Sequence, residues 1–348
     1  MNYTPLLSLI FLAFTVHTAM AQSSLLDRFA AKLTPPHHYY CLPTLCSITI
    51  DGRLDEADWQ RAPHTAEFVD IEGDARPRPI YRTTVQLLWD ADYLYVAATL
   101  EEPNIVGHLK QRDTIIWKEN DFEVFLDPDG DGIDYYEFEV NARNTMMDLL
   151  LTHPYRAGGE FIMPWDCPGL KHAVHLEGTL NNPHDTDRFW TVEMAIPIRA
   201  LRKNFGYRQG MQAGEAWRLN FSRVQWLKAG GPEENWVWSP IGEISMHEPE
   251  RWGLLHFVDT LPSQTPTALP EAHRYLWALY YAQEQYRAAH GVFATNLAQL
   301  ISSAELTAWS ASLRFALEGT RHQFRLTATE GRTTYAIDQR GHWTVERQ

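Results

Sequence analysis

The sequence predicts a mostly β protein: an antiparallel β-sandwich of immunoglobulin or jelly-roll type, followed by a small α+β domain. Three observations predict it. Between Ser47 and Val258, short apolar-alternating runs are divided by Gly, Pro, Asn and Asp clusters, the pattern of an all-β domain. Leu261–Pro270 then has the Pro, Ser, Thr and Gln content of a linker. Charge is also uneven. The 348 residues carry 30 Lys+Arg against 44 Asp+Glu, but 271–348 holds 7 acids and 8 bases, leaving 37 acids against 22 bases for the rest. An acidic body and a near-neutral tail read as two domains, 22–260 and 271–348, joined by 261–270.

At the amino terminus, residues 1–21 contain no Asp, Glu, Lys or Arg, and the apolar run Leu6–Val16 suits a signal-peptide core. It is too short to span a membrane, and no later stretch approaches the ~20 apolar residues a span requires. Ala19-Met20-Ala21 supplies an A-x-A cleavage site, so the expectation is cleavage after Ala21 and a secreted or periplasmic protein. In an oxidising compartment Cys41 and Cys46 could pair, with Cys41 to Cys167 as the other arrangement. No C-x-x-C occurs, which removes a redox motif or zinc knuckle.

Strands are expected at Cys46–Ile50, Thr84–Trp89, Tyr93–Leu100, Phe122–Leu126, Tyr135–Asn141, Val174–Leu180, Trp190–Ile196, Trp217–Val224 and Gly253–Val258. Leu54–Trp59 and Ile198–Lys203 read as short helical turns. In the tail, His273–His290 has strong helix formers with Leu276, Leu279, Tyr280, Gln283 and Tyr286 along one stripe, and Gly291 as a stop. Thr295 or Asn296 can cap a second short helix reaching Ile301. Leu313–Leu317, His322–Thr327, Thr333–Ile337 and Trp343–Val345 then alternate as a small meander. This tail reads as a packing or partner-docking module, its aromatic stripe as core.

The chemistry concentrates in Trp117–Asp127 and Tyr135–Asn141. Strand period two puts Phe122, Val124 and Leu126 on a core face with Tyr136, Phe138 and Val140. Asp121, Glu123, Glu137, Glu139 and Asn141 share the other face. Such a face is either a solvated sheet side or a binding surface. Carboxylates and amides beside Trp117 suit a neutral glycan, because sugars have apolar ring faces for Trp and hydroxyls for planar polar groups. A net charge of −14 disfavours nucleic acid and anionic membrane as partners.

Five blocks in order, ITIDGRLDEADW (Ile48–Trp59), VQLLWDADYLYVAATL (Val85–Leu100), WKENDFEVFLD (Trp117–Asp127), YYEFEVN and HEPERWGLLHF (His247–Phe257), resemble the family 9 carbohydrate-binding modules over roughly 45–258. The resemblance implies a β-sandwich that binds glycans, often at chain ends, without cleaving them. It matches Trp117 to a stacking Trp of the family's sugar clamp and Glu123 to a sugar-binding acid. The family's binding Arg falls at Glu139, its second clamp Trp near Met246 and a binding Asn near Glu243. Asn120, Asn141, Glu139 and Met246 complete the candidate sugar site with Trp117 and Glu123.

The turn Asp127-Pro128-Asp129-Gly130-Asp131-Gly132 has the first half of an EF-hand spacing without the bidentate Glu at position twelve. Asp127, Asp129, Asp131 and Asp134 are candidate Ca²⁺ ligands, and ordinary hairpin-turn chemistry is the alternative. G-x-S-x-G, H-E-x-x-H, P-loop and G-x-G-x-x-G signatures do not occur. Two other functions stay open: a haem-binding electron-transfer sandwich of the DOMON type using Met246-His247 or Met146-Met147, and a glycoside hydrolase using Glu123, Glu139 and Glu193.

Overall fold

The computed structural model describes residues 23–201, 211–228, 230–263 and 270–348. The expected signal peptide and most of the linker lie outside the described residues. In chain order the elements are helix α1 (Leu25–Arg28), strands β1 (His38–Pro43), β2 (Val69–Asp70), β3 (Thr83–Trp89), β4 (Tyr93–Glu101), β5 (Asp121–Asp127), β6 (Tyr135–Asn141), β7 (Met146–Leu151), β8 (Phe161–Ile162), β9 (Lys171–Glu177) and β10 (Phe189–Pro197). Helix α2 (Ile198–Leu201) and strands β11 (Ala216–Trp226), β12 (Glu233–Val237) and β13 (Gly253–Phe257) complete the body. The tail holds α3 (Glu271–His290), α4 (Ser303–Trp309), β14 (Arg314–Gly319), β15 (Phe324–Glu330), β16 (Thr333–Asp338) and β17 (Trp343–Arg347). The chain is mostly β, as expected, and among the described residues no helix is long and apolar enough to cross a membrane.

The body is one curled sheet in the order β8-β7-β6-β5-β11-β13-β1-β3-β4-β10-β9, folded on itself as a sandwich. Strand β1 is the hinge between layers. Its first half, His38–Cys41, pairs in parallel with Leu254–Phe257 of β13, and Leu42 and Pro43 pair in parallel with Leu88 and Trp89 of β3. The remaining ladders are antiparallel. Alternation fills the space between layers: Phe122, Val124 and Leu126 meet Phe138, Val140, Leu219 and Phe221, and across from them Val85, Leu87, Val96, Val192 and Met194, all fully buried.

The segment expected as strand Cys46–Ile50 and helical turn Leu54–Trp59 is irregular chain and turns laid over the outer face of the second layer. It is anchored there by Trp59, whose Nε1–H donates to Glu193 (3.0 Å), and by the Asp51 and Gly52 amides, which donate to the same carboxylate. Neither disulfide forms: Cys41, Cys46 and Cys167 are free thiols. Cys41 alternates into the core with Tyr39, whereas Cys46 lies exposed beyond the strand, and Cys167 is buried elsewhere with its amide donating to Asp148.

The tail has its own core. α3 buries Leu276, Leu279, Tyr280 and Gln283 against Phe324, Leu326 and Ile337 of the four-stranded meander β14-β15-β16-β17, and Gly291 ends it in the left-handed region (φ 72°). Asn296 caps only a single 3-10 turn, and the second helix is α4, capped by Ser302. The segment before β1 belongs to this core, since Leu25 and Phe29 pack into it. Tyrosine hydroxyls join tail to body: partly buried Arg156, ion-paired within the body to Glu248 (2.8 Å) and Glu250 (3.1 Å), donates to the Tyr280 hydroxyl, and Tyr281 donates to Glu250 (2.8 Å).

Candidate functional site

The face carrying Asp121, Glu123, Glu137, Glu139 and Asn141 is not a solvated sheet side. All five are buried, at no more than 5% exposure. Period two places Phe125 and Tyr135 on this face as well, and with Met147, Leu149, Leu151 and Trp252 they build a second apolar cluster outside the sandwich. Chain from distant parts of the sequence covers it: the 3-10 turn at Ile116–Lys118, the segment around Tyr155 and Phe161, and the Ile244–His247 loop. Between them a cleft of about 470 Å³ opens to solvent, with Glu123, Glu137 and Glu139 among its lining.

Trp117 stands at the cleft with 40% of its surface exposed. Its backbone is fixed at both ends, because its N–H donates to Glu139 Oε2 (3.1 Å) and its carbonyl accepts from Trp226 Nε1 (3.0 Å). Met246 lines the same cleft and is held through its carbonyl, which accepts from Trp252 Nε1 (2.8 Å) and from the Glu248 amide. Trp252 packs on Phe125 and Tyr135, so the HEPERWG block ties the Met246 loop to strands β5 and β6. Tyr155, Phe161 and Ile244 are exposed on the rim. Apolar faces for ring stacking and buried polar groups beneath them are the two chemistries a sugar needs.

Burial dominates the electrostatics. It pushes Glu123 up to about 8, helped by Glu137, and Glu137 itself up to about 7. Glu139 and Asp121 are also driven well above the usual carboxylate range, first by burial and then by neighbouring acids. Burial thus favours the protonated form of these carboxyls over the charged one. His247 is pushed down to about 4 by burial and is neutral there, with Nδ1 sharing a hydrogen bond with the Tyr135 hydroxyl (3.1 Å).

Of the residues singled out from sequence, the fold brings Trp117, Glu123, Glu139 and Met246 together in the cleft. Asn120 and Asn141 are not there, since their amides are consumed internally. Asn120 bonds Glu102 and the Trp226 amide, and Asn141 bonds Glu119, the Leu109 carbonyl and the Arg143 and Thr145 amides. Glu243 pairs with Lys32 instead. Glu193 lies on the second layer with Trp59, away from Glu123 and Glu139. Met146 faces the main core and Met147 the cleft. Carboxylate oxygens of Asp127, Asp129 and Asp131 gather within 4.8 Å of one another, and both oxygens of Asp127 accept from the Gly130 and Gly132 amides. That is the bonding of a tight turn.

Sequence reasoning did not find Tyr155, Phe161 or Met163 as cleft residues, it named His247 only as a candidate haem ligand beside Met246, and it placed Glu137 on the right face without assigning it to the site. Only Glu137 had a signal, its strand parity.

The family model described as carbohydrate family 9 binding domain-like matches residues 50–260. No curated protein matches. Among solved structures, a candidate carbohydrate-binding protein from Bacteroides uniformis aligns with a TM-score of 0.51 at 18% identity, covering 64% of this chain and 99% of that one. A family 9 carbohydrate-binding module from Caldicellulosiruptor kristjanssonii in complex with cellotriose aligns with a TM-score of 0.45 at 16% identity, over 67% of this chain and all (100%) of that one. The same organism's module in complex with glucose gives 0.44 at 15% identity, over 66% and 100%. The family match spans more than half of the sequence and, apart from Ile48 and Thr49, the five blocks; this chain belongs to the carbohydrate family 9 binding domain-like family.

Proposed function

We propose that this chain is an exported, non-catalytic module that holds a neutral plant-type or bacterial glycan in the Trp117–Met246 cleft during polysaccharide breakdown. The observation that carries the reading is the half-exposed Trp117 beside a cleft with three buried glutamates in its lining. A sugar ring on the indole leaves its equatorial hydroxyls free to meet Glu123, Glu137 and Glu139. Met246 in place of a second clamp Trp gives a softer wall, which suits a less selective grip. Export is supported by the uncharged leader with its A-x-A site.

The test is intrinsic Trp fluorescence and calorimetry of the full chain against a panel of soluble glycans that includes cello-, xylo- and manno-oligosaccharides. Saturable quenching by a neutral glycan, with the glycan recovered intact, is the expected result. No response across the panel overturns glycan binding, and release of shorter sugars replaces holding with hydrolysis.

A further inference from the structure

Three groups of acids in the described residues bring carboxylate oxygens within 4.8 Å of one another, and they differ in how their charge is met. Asp113, Asp148 and Asp166 surround the Arg112 guanidinium, which pairs with all three. The Asp127, Asp129 and Asp131 group is a hairpin turn whose first carboxylate takes two backbone amides. The third group, Asp121, Glu123 and Glu139, is different. Its members are at most 4% exposed, and no Lys, Arg or His makes an ion pair with any of them among the described residues. Asp121 Oδ1 accepts from the Val224 amide and Glu139 Oε2 from the Trp117 amide, yet Asp121 Oδ2 and Glu139 Oε1 are buried with no hydrogen-bond partner.

We propose that Asp121, Glu123 and Glu139 form a site for a hard divalent cation, such as calcium, beneath the cleft. Unpaired carboxylates inside a protein are retained where a metal or proton meets their charge, and here the oxygens are gathered from two adjacent strands. Residues Glu123 and Glu139 pair directly across β5 and β6, and Asp121 stands two residues before Glu123 on the same face. One oxygen from each carboxylate lies within 4.8 Å of the others, close enough for all three to meet a single cation, and carboxylate oxygens suit a hard ion such as calcium. All-carboxylate ligation without His or Cys excludes the softer metals. Because Glu123 and Glu139 line the cleft while Asp121 does not, the open coordination positions face the cleft, where water or a ligand hydroxyl completes the shell. The site goes beyond glycan binding and stands without it.

The test uses the full chain, stripped with chelator and free of glycan. Tb³⁺ is titrated with excitation of the nearby aromatic residues, then displaced with Ca²⁺, and thermal unfolding is followed with and without CaCl₂. Saturable luminescence is expected, reversed by Ca²⁺ and weakened on the order of tenfold or more in Glu139→Gln and Asp121→Asn, since affinity follows ligand charge count. Asp129→Asn, in the turn, is expected to keep it. Glu123→Gln provides a third ligand variant, and near-UV circular dichroism identifies any variant that does not fold. An additional ion lost only in Asp129→Asn leaves the proposal standing. No saturable binding in the unaltered chain overturns it, as does binding that Asp129→Asn abolishes while the folded Glu139→Gln, Asp121→Asn or Glu123→Gln retains it.

Discussion

Replacing Trp117 by Ala removes the exposed indole face and little else. The Trp117 N–H to Glu139 and carbonyl to Trp226 bonds are made by backbone and survive the change, so the cleft keeps its shape. A Trp offers up to ~250 Å² of surface, and with 40% of it open about 100 Å² is available to a sugar ring. A ring covering half to all of that area removes ~50–100 Å² from water, about 1.3–2.5 kcal/mol at ~25 cal/mol per Å². Affinity for a bound oligosaccharide is therefore expected to fall roughly 10- to 70-fold in Trp117→Ala. Calorimetry on the best ligand from the glycan panel reads this directly, and Trp117→Phe, which keeps a ring, falls between. Unchanged affinity in Trp117→Ala, with an unchanged melting temperature showing intact folding, would refute stacking as the basis of binding.

Three further outcomes follow from the packing. His247 has its folded pKa near 4 against an ordinary 6.5, so the unfolded chain takes the proton first; the stability is present above about pH 6.5 and is lost as pH falls toward 4. At pH 5 this amounts to about 2 kcal/mol, and chemical denaturation should show His247→Gln losing that much less than the unaltered chain between pH 7 and 5. Gly253→Ala drives a methyl into the Trp238 ring inside the core, and denaturant melts should show about 1–3 kcal/mol of destabilisation. Arg156→Met strands Glu248 and Glu250 beneath the tail, so calorimetric melting should lose ~3–5 kcal/mol; a change below about 1 kcal/mol would mean the network contributes little to docking.

Local pattern made much of the fold legible. Phe122, Val124 and Leu126 faced the core because strand parity and apolarity agree, and α3 was legible because Leu276, Leu279, Tyr280 and Gln283 repeat at helical spacing and Gly291 follows. Strand β1 was not, because Pro36 and Pro43 flank a run whose value lies in pairing with two distant strands at once. Burial of the Glu123 and Glu139 face was hidden for the same reason: the covering residues Tyr155, Phe161 and Met246 come from segments that nothing local ties to the sheet. Asn120 and Asn141 show the opposite limit. Their residue types suit a sugar, but only the three-dimensional surroundings reveal that their amides already hold Glu102, Glu119 and neighbouring backbone.

The central claim is that Trp117 and Met246 grip the ligand over the buried acids. A crystal structure of the full chain with a bound oligosaccharide from the panel tests it most directly. The account predicts a sugar ring against the Trp117 indole, with hydroxyls toward Glu123 and Glu139. A sugar seated instead in the separate cleft lined by Arg82, Thr99, Glu101 and Arg188, with Trp117 untouched, would contradict it.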